Sequence, residues 1–284
     1  MSKILRAALL QERDHGSVAA NLDAIEAGLR KAAKSGAELV LLQELHNGPY
    51  FCQHESTAEF DRAEPIPGPS TARIGALAAE LKLVVVASLF ERRAAGLYHN
   101  TAVVFDRAQD ICGKYRKMHI PDDPAFYEKF YFTPGDLGFE PVQTSVGKLG
   151  VLVCWDQWYP EAARLMALAG VNLLLYPTAI GWDPTDAQDE KNRQRDAWML
   201  SHRGHAVANG LPYIDALRAV TVNPLAIWGR GGGTLAPGAD ADLVVWDGDP
   251  LEPSSIALHV IVEGRETESR SRQDRLAERY REAR

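Results

Sequence analysis

The sequence predicts an α/β layered domain, because short apolar segments typical of buried strands alternate with segments of helical periodicity. Residues 38–42, Glu-Leu-Val-Leu-Leu, form one such apolar segment. A run of this length and composition is typical of a buried parallel strand. Residues 17–35, just before it, place apolar side chains at helical spacing and end at Ser-Gly, a helix stop signal. The same alternation continues to about residue 209.

The remaining elements follow from the same two patterns. Ser70 or Thr71 is expected to cap the second helix, and Arg92 to Gly96 is expected to form a hairpin loop. The predicted strands are residues 3–10, 38–42, 83–89, 100–105, 111–114 and 171–176. The predicted helices are residues 17–35, 70–82, 160–169 and 189–209.

Composition sets limits on the class of protein. The 284 residues, 46% hydrophobic and 24% charged, suit one large α/β domain or one domain with an appendage. A net charge of −7 gives no global attraction to nucleic acid or an anionic membrane, and no apolar run reaches about 18 residues. Three cysteines in a long chain argue against a disulfide framework and for a reducing compartment. The N-terminus lacks a signal-peptide pattern, so we expect a cytoplasmic protein.

Cys154 lies at a predicted junction of strand, turn and helix. An apolar run from residue 147 reaches Cys154, passes through polar and aromatic residues, and restarts at Pro160-Glu161, a favoured helix opening. A thiol near a helix N-terminus is favoured as a thiolate by the helix dipole. The alternative, a buried structural cysteine, remains open at this point.

Glu44 and Lys117 are candidates to act with this thiol. Glu44 follows the apolar strand 38–42 directly, where α/β sheets commonly carry their chemistry. Lys117 opens a long loop, residues 114–135, that is rich in aromatic and charged residues. Glu44 would serve Cys154 as general base, and Lys117 would hold an oxyanion together with the backbone N–H of Trp155. A solvated loop glutamate and a surface lysine are the alternatives.

Three segments resemble the signatures of the nitrilase superfamily of carbon–nitrogen hydrolases, and within it the N-carbamoylputrescine amidases. They read Leu-Leu-Gln-Glu at 41–44, Lys-Tyr-Arg-Lys-Met-His-Ile-Pro at 114–121, and Leu-Val-Cys-Trp-Asp-Gln-Trp-Tyr-Pro-Glu at 152–161. Three separate motifs in the right order are a specific signal, and the resemblance covers residues 1 to about 213.

The resemblance implies an α-β-β-α sandwich with no metal or organic cofactor, assembled as a dimer or larger homo-oligomer. It implies that Glu44 is the base, Lys117 the oxyanion stabiliser and Cys154 the nucleophile, and that Glu128 positions the substrate. The implied reaction converts N-carbamoylputrescine, a small ureido compound, to putrescine, carbon dioxide and ammonia.

Further substrate-positioning roles are expected for Trp155, His119 and Asp183. Because the substrate tail is cationic, a carboxylate or a ring of hydrogen-bond acceptors is needed to anchor it, and Asp183 in Gly-Trp-Asp-Pro is our hypothesis for that anchor.

The resemblance predicts two domains. Residues 1–213 would form the nitrilase-like domain, truncated at its C-terminal end and therefore less stable than an intact family member. Residues 214–284 resemble the C-terminal tail of metal-dependent amidohydrolases, a small mixed α/β appendage with a predicted helix at 214–222, a strand at 259–262 and a charged end. No His-x-His pair occurs among the eight histidines, so this segment implies no metal site.

Two other functions are weighed against a cysteine hydrolase. The chain could be an inactive chimera or an interaction protein that keeps the catalytic residues without a complete scaffold. It could also be a metal hydrolase using His202 and His205, whose i, i+3 spacing places them on one helix face. No acidic or histidine residue at a matching ligand spacing lies near them in sequence, which favours two ordinary helix positions.

Overall fold

The computed structural model describes residues 5–181 and 185–211 together with strands at 243–246, 257–262 and 265–267. The chain forms two compact units, Met1–His205 and Ala206–Arg284. The predicted domain boundary at residues 213 and 214 lies outside the described residues and stays a prediction.

The first unit contains a five-stranded sheet in the order β1-β2-β3-β4-β5. β1 to β3 run parallel, and β3 to β5 run antiparallel. The strands are Ala7–Leu10, Leu39–Leu42, Val84–Ala94, Leu97–Asp106 and Ile111–Arg116.

The loop that joins β3 to β4 is shorter than predicted. Arg92 pairs with Tyr98 and Ala94 pairs with Leu97, so β3 continues through most of the expected loop at 92–96. Only the tip at Gly96, where φ is +73°, turns the chain.

Two helices, α1 (Val18–Lys34) and α2 (Pro69–Leu81), cover one face of this sheet. The apolar side chains predicted at helical spacing meet alternate side chains of the strands, so their periodicity defines the core. The buried members of this core are Leu22, Ile25, Leu29, Val40, Leu42, Ile74, Leu77, Ala78, Leu83, Val85, Ala87, Leu89, Val103 and Phe105.

The start of α2 differs from the prediction. The N-cap is Gly68, and Pro69 occupies the first turn, where its fixed φ suits a helix and its missing N–H is not needed. Thr71 Oγ1 accepts a hydrogen bond from Gly68 N at 2.7 Å, and Ser70 Oγ donates to Glu64. Neither Ser70 nor Thr71 is the cap residue, because Pro69 sets the start of the helix before them.

A second sheet is built from β6 (Val142–Thr144), β7 (Gly147–Val151) and β8 (Leu173–Leu175). β6 pairs antiparallel and β8 pairs parallel with β7. The parallel connection runs through α3 (Pro160–Leu168), whose Met166 Cβ would lie 3.3 Å from a Cβ at Gly150 of β7. β6 was not predicted, because three residues are too short for a periodic signal.

The two sheets approach closely where β5 meets β6. A Cβ added to Gly113 of β5 would lie only 2.3 Å from Val142 Cγ2, so no larger residue fits there. With α1 and α2 outside one sheet and α3 outside the other, the first unit is the expected α-β-β-α sandwich.

The remaining elements are α4 (Gln188–Asn209) and, in the second unit, the strands β9 (Leu243–Trp246), β10 (Ala257–Val262) and β11 (Arg265–Thr267). These strands form an antiparallel sheet in the order β11-β10-β9. β10 contains the strand predicted at 259–262, whereas the helix predicted at 214–222 lies outside the described residues. Among the helices of the described residues, none is long and apolar enough to cross a membrane.

Candidate active site

Three strand ends bring Glu44, Lys117 and Cys154 together. Glu44 follows β2, Lys117 follows β5 and Cys154 follows β7. Lys117 Nζ donates to Glu44 Oε1 at 2.8 Å, and a hydrogen bond joins the Cys154 thiol to the Glu44 carboxyl group. All three residues are buried. The residues that the sequence singled out therefore form one cluster.

The Glu44 carboxylate is held on both oxygens. Asn100 Nδ2, from β4, donates to Oε1 at 2.8 Å, and the backbone N–H of Ala179 donates to Oε2 at 2.9 Å. Ser88 Oγ in turn donates to Asn100 Oδ1 at 3.1 Å. This support fixes the direction in which Glu44 can accept a proton.

Lys117 is a buried ammonium between two carboxylates. Its Nζ donates to Glu44 and also to Glu128 Oε2, at 2.6 Å. Burial alone would lower the pKa of Lys117, but the charges of Glu44, Cys154 and Glu128 outweigh it and raise that pKa. An ammonium has three N–H donors, and hydrogen bonds to the described residues use two of them, so the third is available to a ligand.

Glu128 lies in a short 3-10 helix (Glu128–Phe130) within the long loop, and it is fully buried. Its second oxygen, Oε1, accepts a hydrogen bond from Tyr50 Oη at 2.8 Å. Burial, opposed by Lys117 and assisted by the Glu44 charge, raises the pKa of Glu128 to about 7. Glu128 contacts Lys117 directly, whereas its predicted contact with substrate remains a prediction.

Cys154 sits on a strained turn. Its φ is +42°, in the left-handed region that non-glycine residues rarely adopt, and it opens a 3-10 helix, Cys154–Trp158. Its backbone N–H donates to Pro177 O at 2.9 Å. Strain of this kind is typical of functional turns that project a nucleophile.

The thiolate expected at this turn is not favoured by the structure. Burial, together with the Glu44 charge, raises the pKa of the Cys154 thiol well above its usual value, although Lys117 opposes the shift. The next α-helix begins only at Pro160, too far along the chain for its dipole to act on the thiol. Cys154 is therefore a neutral thiol that needs a base, and Glu44 is the carboxylate bonded to it.

Asp156 is a site residue that sequence reasoning missed. Its buried carboxylate accepts from Val153 N (2.8 Å) and Tyr115 Oη (2.9 Å) through Oδ2, and from His119 N (3.1 Å) through Oδ1. It therefore joins the segment that carries Lys117 to the turn that carries Cys154. The motif Cys-Trp-Asp contained this residue, but only its partners from β5 and beyond reveal its role.

His119 contacts Asp156. Its Nδ1 lies 2.7 Å from Asp156 Oδ1, and its ring stacks on Tyr159 with centroids 3.8 Å apart and planes 6° from parallel. The structure thus places His119 as a support of the Cys154 turn, and its predicted contact with substrate stays a prediction. The third predicted substrate contact, Asp183, lies outside the described residues.

A cavity of about 340 Å³ borders the turn that carries Cys154, although Glu44, Lys117 and Cys154 themselves do not line it. Trp155 lines it and follows Cys154 in the chain, and Ile180, which also lines it, follows the Ala179 amide that binds Glu44. The described residues around the cavity are Trp155, Trp158, Ile180, Gly181, Arg193, Gln194, Arg195, Ala197 and Trp198. A volume of this size suits a small organic molecule.

His202 and His205, considered above as metal ligands, both face Gln157. His202 Nε2 lies 2.5 Å from Gln157 Oε1, and His205 Nε2 lies 2.7 Å from Gln157 O. These contacts hold α4 against the turn after Cys154. Within the residues that the structure describes, no group of three or more His, Cys, Asp or Glu side chains is arranged to hold a metal ion.

Known proteins share this arrangement of fold and sequence. Residues 6–244 match the carbon-nitrogen hydrolase family model. The chain is 44% identical over 218 residues to an N-carbamoylputrescine amidase of Solanum lycopersicum, which covers 76% of this chain and 71% of that enzyme. It is 40% identical over 218 residues to a citrullinase of Francisella tularensis, covering 76% of this chain and 75% of that protein.

A solved structure of a carbon-nitrogen hydrolase also matches this chain. The crystal structure of a carbon-nitrogen hydrolase from Helicobacter pylori superposes with a TM-score of 0.71 and 55% sequence identity, covering 73% of this chain and 71% of that one. The family match extends over most of the chain, and the relatives are well above 30% identical. The chain therefore belongs to the carbon-nitrogen hydrolase family.

Proposed function

We propose that this enzyme hydrolyses N-carbamoylputrescine to putrescine, carbon dioxide and ammonia, with Cys154 as nucleophile. The observation that carries the proposal is the buried contact of a neutral thiol with a carboxylate, beside an ammonium that keeps one free donor. The similarity to the tomato N-carbamoylputrescine amidase supports the choice of substrate.

The first half of the reaction transfers the carbamoyl group to the enzyme. Glu44 takes the thiol proton as the sulfur of Cys154 attacks the carbamoyl carbon. The remaining N–H of Lys117 and the Trp155 amide stabilise the oxyanion; among the described residues, that amide makes no backbone hydrogen bond. The bond from carbon to the terminal nitrogen then breaks, and Glu44 returns the proton so that ammonia leaves.

The second half releases the product. A water molecule gives a proton to Glu44 and attacks the carbamoyl carbon of the thioester. The carbon–sulfur bond breaks and Glu44 returns its proton to the Cys154 sulfur. The carbamate that leaves decomposes to carbon dioxide and putrescine. Each bond broken is matched by one formed, and no external cofactor is required.

The substrate tail would occupy the cavity beside Cys154. Its three indoles, Trp155, Trp158 and Trp198, offer apolar surface to a four-carbon chain and aromatic faces to its ammonium. Asp183, two residues beyond the lining residue Gly181, remains our candidate for the carboxylate that anchors this ammonium. If Asp183→Asn left the KM for carbamoylputrescine unchanged, that anchoring role would be wrong.

The test is ammonia release from carbamoylputrescine by the full chain. Cys154→Ala should lose activity by several orders of magnitude, because no other group forms the thioester. The matched control is Cys112→Ser, which removes an exposed thiol on β5, outside the buried cluster, and should keep activity within about twofold. Equal rates in the wild type and Cys154→Ala, or no ammonia from the wild type, would reject the proposal.

A ureido amino acid such as citrulline is the second candidate substrate. The similarity to the Francisella citrullinase and the two guanidinium groups at the cavity, Arg193 and Arg195, favour it, since arginine binds carboxylates. Both arginines are bonded to acids of their own helix, Glu190 and Asp196, which weakens this argument. The ratio of kcat/KM for carbamoylputrescine to that for citrulline decides between them.

We also propose that the enzyme is a cytoplasmic homo-oligomer. Leu165 and Leu168 on α3 and Leu200 on α4 are exposed apolar side chains that a second copy could cover. All three cysteines are free, which suits a reducing compartment. A light-scattering mass equal to that of one chain, independent of concentration, would reject the oligomer.

A further inference from the structure

Tyr50 is the least expected neighbour of the buried charges. It belongs to the aromatic loop after β2, and its hydroxyl donates to Glu128 Oε1 at 2.8 Å. The other oxygen of that carboxylate accepts from Lys117 Nζ at 2.6 Å. Two donors on two oxygens match an ionised carboxylate, which only accepts.

The direction of the unused Lys117 donor follows from these bonds. The three N–H groups of an ammonium point to the corners of a tetrahedron, so fixing two of them fixes the third. Glu44 Oε1, at 2.8 Å, fixes one and Glu128 Oε2 fixes another. Glu44 has its own supports in Asn100 and Ala179. The only side chain other than Lys117 that donates to Glu128, among the described residues, is Tyr50.

The loop of Tyr50 is attached to the loop of Glu128. The backbone N–H of Tyr127 donates to Cys52 O at 2.8 Å, and the ring of Tyr50 packs against Phe126 with centroids 5.8 Å apart. These contacts fix the two loops relative to each other, so the Tyr50 hydroxyl meets the Glu128 carboxylate in a defined position.

We propose that Tyr50 is a positioning residue of the hydrolase: through Glu128 it aims the free N–H of Lys117 at the oxyanion. The inference rests on the proposed function for its substrate. It predicts a defect in kcat rather than KM, because a misaimed donor weakens stabilisation of the transition state more than binding of the ground state.

The charge of Glu128 gives a second readout. The groups that act on this carboxylate are Lys117, Glu44 and Tyr50, with the Cys52 and Cys154 thiols close by. Because ionised Glu128 raises the Cys154 pKa, the rate at which iodoacetamide alkylates Cys154 should contain a step where Glu128 ionises. The Tyr50 hydrogen bond lowers the Glu128 pKa, so removing it should move that step to higher pH.

The experiment compares Tyr50→Phe with the wild type and with Tyr131→Phe. Tyr131 is a matched control, since its hydroxyl bonds Ser56 N and His54 O, and its only recorded bond to Glu128 among the described residues is from its backbone N–H to Glu128 O, which the substitution keeps. We expect kcat for carbamoylputrescine to fall about tenfold in Tyr50→Phe, with KM within about twofold and no change in the control. The double variant with Glu128→Gln should lose little more than Glu128→Gln alone.

Alkylation of Cys154, followed by peptide mass spectrometry, separates this inference from the proposed function. If the wild type releases no ammonia from carbamoylputrescine but the alkylation step moves to higher pH in Tyr50→Phe, the substrate is wrong and the role of Tyr50 stands. If ammonia is released but Tyr50→Phe matches the wild type in kcat and in the alkylation profile, the inference is overturned. A loss in Tyr50→Phe that adds fully to the Glu128→Gln loss would also overturn it.

Discussion

Arg116 and Lys117 are neighbours at the end of β5, and each is bonded to two carboxylates. The two groups of charges differ in the direction in which the pKa values of Glu91 and Glu128 shift. Arg116 forms a bidentate pair with Glu91, at 2.7 and 2.8 Å, and a third bond to Asp136 at 2.9 Å. Lys117 lies between Glu44 and Glu128. Consecutive residues of a strand point to opposite faces, so Arg116 reaches Glu91 of β3 across one face of the sheet, whereas Lys117 faces Glu44 and the active site.

The pKa values of the carboxylates show the difference between the two sites. Burial would raise the pKa of Glu91, but hydrogen bonds from Arg116 and Thr101 outweigh it and lower that pKa to about 2. Hydrogen bonds from Arg116 and Arg93 lower the pKa of Asp136, which is 45% exposed, to about 2. The pKa of Glu128 instead rises to about 7. A fully matched ion pair stabilises structure, whereas an incompletely matched buried one leaves a donor and a proton available for chemistry.

The largest expected effect is the loss of Lys117. Lys117→Met should reduce kcat by at least about 10²–10³, the effect of removing one oxyanion donor. Arg116→Met should act on stability instead, lowering the free energy of unfolding by up to about 3–5 kcal/mol, because buried Glu91 would keep only the hydrogen bond from Thr101 and the 3.5 Å contact with Lys114 among the described residues. Urea unfolding and kcat of the folded fraction measure the two effects. If Arg116→Met lost catalysis while keeping stability, the comparison between the two clusters would be wrong.

Asp156→Asn should have the next largest effect. The amide would place an NH₂ group either against Val153 N and Tyr115 Oη or against the backbone N and Nδ1 of His119. The donors that face the NH₂ group would then have no acceptor. Each orphaned donor costs about 1–3 kcal/mol, and the strained turn at Cys154 loses its support.

Thermal melting and the alkylation rate of Cys154 measure both consequences of Asp156→Asn. The control is Asp106→Asn at the end of β4, whose carboxylate accepts hydrogen bonds only from the exposed Ser145 among the described residues. Comparable losses in the two variants would contradict a special role for Asp156.

Gly135→Ala tests how strongly both cations depend on the backbone position of the end of β5. A Cβ at Gly135 would lie 2.0 Å from Arg116 O, and Gly135 N donates to Lys117 O at 2.8 Å, so alanine must shift the strand end that carries both cations. We expect a loss of stability of about 1–3 kcal/mol and a clear fall in kcat.

The matched control for this substitution is Gly204→Ala in α4. A Cβ there meets no atom within 4 Å in the part of the chain that the structure describes. Because alanine is the better helix former, the control should gain about 0.5–1 kcal/mol. Urea midpoints of the two variants that moved in the same direction would refute the packing argument.

The smallest effect is a difference in pH dependence of stability. A carboxyl group whose pKa is raised on folding contributes stability at low pH, and this contribution is lost as pH rises through the folded pKa, here about 7 for Glu128. Groups with lowered pKa, Glu91 and Asp136, contribute above their unfolded pKa and lose that contribution as pH falls towards about 2.

Glu128→Gln should therefore remove a fall in stability between pH 4.5, the ordinary value for a glutamate, and about 7. Denaturant titrations of wild type and variant across this range measure the difference. Parallel curves would show that Glu128 is already ionised throughout.

Much of this site could be predicted from the sequence, because its three chemical groups follow strand ends inside recognisable motifs. The supports could not be predicted in the same way. Asn100 lies 56 residues and Ala179 lies 135 residues from the Glu44 that they hold. Tyr50 and Glu128 are 78 residues apart. Such pairings depend on how loops of different strands meet, for which a single sequence carries no periodic signal.

In the fold, too, the elements with a periodic burial pattern could be predicted and those without one could not. The helices were predicted nearly to their ends, because burial on one face imposes a period. The two long strands were predicted only in part: β3 runs to Ala94, beyond the predicted end at residue 89, and its last three residues are exposed and carry no burial pattern. The three-residue strand β6 and the cap at Gly68 were missed, since each depends on tertiary contact or on a single proline. The sequence left two states open for Cys154, a poised thiolate and a buried thiol, and the structure favours the second because burial, together with the Glu44 charge, raises the pKa of the thiol.

The most direct test of the central claim is to trap the intermediate. Full-length enzyme mixed with carbamoylputrescine and quenched in acid within milliseconds should carry one carbamoyl group that still bears the aminobutyl chain, located by peptide mass spectrometry on Cys154 and absent from Cys154→Ala. An adduct on Cys52, the other buried cysteine, or ammonia release with no covalent adduct on any cysteine, would contradict the account.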